Sequence, residues 1–145
     1  MRFINATLIL CIGLFLEINA ASFFGVSLGF GWAALFVAAF FLHFGELALL
    51  SVFYLSVMYW LPFFHVMTLI IFLVPLVASA LFEPFRLKPF FGNLFFIICG
   101  TFGLYLIFAP QFFVMHPLLF IADLFLSAAF GACAFWIMEI ATQPF

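Results

Sequence analysis

Residues 24–61 read FGVSLGFGWAALFVAAFFLHFGELALLSVFYLSVMYWL, and four of them decide the fold. His43-Phe44-Gly45-Glu46 is the one polar break in this apolar stretch. A helix that crosses a bilayer needs about 20 apolar residues. If the chain turns at the break, the stretch makes two helices, from about Phe24 to Leu42 and from about Leu47 to Leu61. If it runs through, the stretch is a single long tilted helix. The whole chain then has six helices in the first case and five in the second.

Charge distribution favours six. Lys and Arg collect on the cytoplasmic side of a membrane protein. The three cations are Arg2 near the start and Arg86 and Lys88 in one short segment. An even number of crossings must separate them if they share a side. Six helices place four between them and put the N- and C-termini both in the cytoplasm. The other runs cover about Phe3 to Ala21, Pro62 to Phe82, Phe90 to Ala109 and Leu118 to Ile140. Glu83-Pro-Phe-Arg-Leu-Lys-Pro89 is the clearest loop, and Pro110 to Pro117 forms a short connection. The second and third helices are joined by almost nothing, which predicts a tight hairpin.

Composition sets the environment. Of 145 residues, 71% are hydrophobic and 6% are charged. A soluble domain carries about a quarter charged residues. In water this chain would expose apolar surface on every side; in lipid the same composition is what the solvent requires. The expectation is an all-α, polytopic transmembrane helical bundle occupying residues 1–145 as one domain. Its partners are then the lipid bilayer and other integral membrane proteins. Three cations do not supply the basic cluster that a nucleic acid requires. Arg2, the apolar run after it and Asn19-Ala-Ala-Ser22 imitate a secretory signal. Because the rest of the chain is equally apolar, the run is read as a retained first helix.

Ionisable residues inside apolar runs are the candidates for function, since each is costly there. Glu17, with Asn19 nearby, is placed close to the outer interface. His43 and Glu46, three residues apart, are spaced to pair on one helical face. Asp123 lies about one and a half turns into the last helix and is the acid most expected to be buried. It has two readings: a rim carboxylate without a partner, or a bundle-facing acid paired with His116 or Gln111. His65 is read as interfacial and Glu139 as solvated. Small residues at i, i+4 spacing, among them Ala34/Ala38 and Ser127/Gly131, would let helix backbones approach closely. The phenylalanines, 28 in all, are read as packing or lipid-facing bulk.

Catalytic patterns are missing. The serines have no Gly-x-Ser-x-Gly context, and no HExxH motif occurs. Cys11, Cys99 and Cys133 lie in apolar runs without metal-ligand spacing, so neither a metal site nor a disulfide framework is expected. The expectation is a non-enzyme without cofactors.

Six helices with minimal loops, a hairpin-like second and third helix and one basic loop after the fourth together resemble the rod shape-determining MreD family. That family carries a Gly-Leu-x-x-Asp-Leu stretch followed by Pro and Gly. Here the corresponding stretch is Leu55 to His65; Pro62 matches, while the Gly and the Asp do not. The resemblance implies a non-catalytic scaffold in the cell-wall elongation complex of a bacterial inner membrane. The Glu83 to Pro89 loop, with Glu83, Arg86 and Lys88, is the expected cytoplasmic partner contact, because it holds two of the three cations. The MreD fold is similar to the substrate-binding subunit of energy-coupling-factor transporters. That implies a second class of function, a small-molecule binder working with an ATPase. An accessory subunit of a larger membrane complex is a third.

Overall fold

The computed structural model describes residues 1–24, 29–58, 66–81 and 89–142. Within them the protein is an all-α bundle, with no strand among the described residues. The helices are α1 (Arg2–Phe24), α2 (Phe30–Phe41), α3 (Phe44–Met58), α4 (Val66–Leu81), α5 (Pro89–Phe108), α6 (Phe112–Met115) and α7 (Pro117–Thr142). Six are the expected runs, and α6 is a single turn inside the Pro110–Pro117 connection. The spans Arg2–Ser22, Pro89–Ile107 and Pro117–Thr142 are long and apolar enough to cross a membrane.

The chain does turn near His43, but over two residues rather than four. Phe44, Gly45 and Glu46 already belong to α3. The reason is a cap. The His43 carbonyl accepts the Leu47 N–H at 3.0 Å, so His43 is the residue that opens the helix. The Glu46 carboxylate reaches back to the His43 N–H at 3.2 Å. An acid at this position satisfies one of the free amides that every helix start leaves. The expected side-chain pairing of His43 with Glu46 is therefore replaced by a backbone contact.

The second helix is where expectation and structure differ most. It begins at Phe30 rather than Phe24, because α1 continues to Phe24. Its 12 residues span about 18 Å, well short of the roughly 30 Å apolar core of a bilayer. Every residue from Gly31 to Ala39 is buried. A helix covered on all sides is a core helix, and α2 packs against α1, α3, α4, α5 and α7.

Lipid tails are as apolar as leucine, so burial in a bilayer supplies little attraction between helices. Close packing and hydrogen bonds must do so. Small residues permit this around α2. A Cβ added to Gly13 of α1 would stand 3.0 Å from the Phe30 carbonyl oxygen. On α7, Ser127 and Gly131 face Gly29 and Ala33. Larger rings close the ends. Phe40, Phe41 and Phe90 surround Phe135 at one end, with centroids 5.0–5.8 Å apart. Tyr105 lies between Phe112 and Phe120 at the other, at 5.2 and 5.1 Å.

A candidate site of two buried carboxylates

The first turn of α2 carries free amide N–H groups and the positive end of the helix dipole. Two acids from separate helices meet it. Glu17 of α1 accepts the Gly31 N–H at 3.0 Å and the Tyr54 hydroxyl at 3.4 Å. Asp123 of α7 accepts the Gly29 N–H at 2.8 Å, the Tyr105 hydroxyl at 2.7 Å and the Ser127 hydroxyl at 3.0 Å. Glu17 is 2% exposed and Asp123 1% exposed, so neither relies on water.

Local sequence explains the placement. Glu17 follows Gly13 by one turn, and Gly13 lets α1 lie against the backbone at Phe30 and Gly31. Asp123 precedes Ser127 by one turn on the face that meets Gly29. His116 opens α7, its carbonyl taking the Phe120 N–H, and Pro117 occupies the first helical position that proline favours. The single turn α6 sets Phe112 against the Tyr105 ring, which holds the hydroxyl toward Asp123. Both acids lie within helices long and apolar enough to cross a membrane, back from the helix ends. Glu17 is seven residues before the end of α1, about 10 Å, and Asp123 is six residues after the start of α7, about 9 Å.

Several sequence expectations change here. Glu17 does not reach the interface; it is buried at a helix start. Asp123 is buried, but neither His116 nor Gln111 is its partner. His116 is exposed and its ring lies 5.4 Å from Phe112. Asn19 stays outside the site, its side-chain amide donating to the Phe15 carbonyl of its own helix at 2.7 Å. His43 is exposed and Glu46 half-buried at the opposite end of the bundle. Glu139 is exposed on the surface of α7. Glu83, Arg86, Lys88 and His65 lie outside the described residues.

Sequence reasoning overlooked Tyr54, Tyr105 and Gly31, and took Gly29 only as a small residue spaced with Gly25, not as the amide that meets Asp123. One signal was available. The chain has 3 tyrosines, and a buried tyrosine hydroxyl needs a partner. With few acids in the apolar runs, pairing Tyr54 and Tyr105 with Glu17 and Asp123 was the economical solution.

The chain matches no family model, no curated protein and no solved structure. The site therefore speaks through its geometry. Two carboxylates accept five described donors, two of them amides at the start of a half-length helix. Among the described residues, no three His, Cys, Asp or Glu side chains gather where they could hold a metal ion. The arrangement anchors α2 between α1 and α7.

Proposed function

We propose that this protein is a multi-pass integral membrane scaffold without catalytic activity. The observation that carries the reading is the direction of the buried polar groups. The bonds of Glu17 and Asp123 described above run to this chain's own amides and hydroxyls, so the acids hold the bundle together. A scaffold also requires an apolar surface for its partners. Large side chains such as Phe15, Phe91, Phe125 and Trp136 stand outward, each about two-thirds exposed or more. An apolar groove of about 350 Å³ runs between α4 and α5, floored by Phe36 and edged by Leu73, Val77 and Cys99.

The specific version of this proposal is an MreD-like role in bacterial cell-wall elongation. In it the inner membrane holds the protein, both termini are cytoplasmic, and Arg86 and Lys88 contact a partner. Affinity purification from native membranes in mild detergent, read by mass spectrometry, tests it. Elongation-complex proteins are the expected companions. An ATPase module with a coupling protein would instead identify a transporter subunit. Arg86→Glu combined with Lys88→Glu should reduce co-purification or alter orientation; normal orientation with unchanged companions refutes the loop contact.

A further inference from the structure

The opposite end of the bundle holds a second polar feature. A cavity of about 460 Å³ opens between the first turn of α1, the α2–α3 hairpin and the last turn of α7. Arg2, Phe3, Phe41, His43, Glu46 and Thr142 are among the residues lining it. α1 and α7 are each long and apolar enough to cross a membrane, and such a crossing would put their ends here at the boundary between lipid and water.

Its charges are of both signs and are not spent on each other. Arg2 is exposed, and no ion pair engages it among the described residues. Glu46 uses Oε2 to cap the His43 N–H, which leaves Oε1 open. Phe3 and Phe41 are half-buried and give the same cavity an apolar part of its lining. Arginine matches a phosphate with two parallel N–H bonds, and a carboxylate binds a primary ammonium by charge-assisted hydrogen bonds.

We propose that this cavity is a headgroup site for a zwitterionic phospholipid of the phosphatidylethanolamine class. Arg2 takes the phosphate, Glu46 takes the ammonium, and Phe3 and Phe41 meet the glycerol and upper acyl region. Charge complementarity selects this lipid. Phosphatidylglycerol offers Glu46 no cation, and the methylated ammonium of phosphatidylcholine cannot donate a hydrogen bond to it. The proposal rests on the membrane reading and is independent of the scaffold role.

The test places the full chain in nanodiscs with equal phosphatidylethanolamine, phosphatidylcholine and phosphatidylglycerol. Native mass spectrometry then reads the lipid retained on the released protein. The ethanolamine lipid should be enriched about fivefold over each of the others, the scale of an interfacial ion pair. Arg2→Gln should remove retained lipid of all three classes. Glu46→Gln, which keeps an oxygen for the His43 N–H, should erase the preference for ethanolamine over glycerol. Thr142→Trp fills the cavity without altering a charge and should also prevent retention. Thr142 donates only within α7, to Met138 and Glu139, so this variant removes no hydrogen bond between helices. Equal retention of the three lipids, or an ethanolamine preference that survives either Glu46→Gln or Thr142→Trp, overturns the proposal. Failure to enter the nanodisc would instead overturn the membrane reading beneath it.

Discussion

Asp123 shows how a costly residue becomes a structural one. Its oxygens collect donors from α2, α5 and α7, so one side chain ties three helices together. Removing it strands each donor in an apolar interior, where an unmade bond is expensive. Two of the three bonds cross between helices, and such bonds are worth about 0.6–1.7 kcal/mol each within membranes. Asp123→Ala should therefore lower stability by roughly 1–3 kcal/mol. Asp123→Asn keeps an oxygen for Gly29 and Ser127, and its amide can donate to the Tyr105 oxygen, so its cost should be smaller. Reversible unfolding in bicelles measures both variants. Equal stabilities for wild type and Asp123→Ala would show that the acid does not anchor α2.

At the scale of elements, α2 is decided by what lies against its first turn. A Cβ on Gly31 would stand 2.5 Å from a Tyr54 ring carbon and 2.9 Å from Glu17 Oε2. Gly31→Ala must displace both partners of that turn and should cost about 1–3 kcal/mol by overpacking. Gly103 on α5 is the control, since nothing lies within 4 Å of its added Cβ. Gly103→Ala should be neutral or stabilising, by at most about 1 kcal/mol. Thermal unfolding in detergent compares the two, and a larger loss at Gly103 contradicts the packing described here. The α2–α3 turn was legible in sequence because its cap is local: His43 and Glu46 are three residues apart. The start of α2 was not legible, because its capping acids sit on other helices. Hydropathy alone assigned residues 24–29 to the same run as α2.

For the whole molecule, the three cysteines test the environment. Cys11, Cys99 and Cys133 are all exposed on the bundle surface, and all lie well inside the long spans. Cys11 is nine residues into α1, Cys99 ten into α5 and Cys133 sixteen into α7, or about 14, 15 and 24 Å from those starts. In intact membranes they should react with a lipid-soluble maleimide and resist a charged, impermeant one. Rapid labelling of Cys11 or Cys99 by the impermeant reagent would contradict burial of those faces in lipid.

Sequence by itself determined the solvent class, the helical content, the six principal runs and the hairpin at His43. These follow from composition and from bonds made within a few residues, which any local reading can follow. Only the tertiary structure decided that α2 is a half-length central helix and that Glu17 and Asp123 cap it. Their partners lie 14 and 37 residues away for Glu17, and 94 and 18 for the interhelical bonds of Asp123. Whether an acid in an apolar run is a rim charge or a buried anchor depends on which donors the fold brings to it. That choice is made by close approach at Gly13, Gly31 and Gly131, which hydropathy along the chain does not encode.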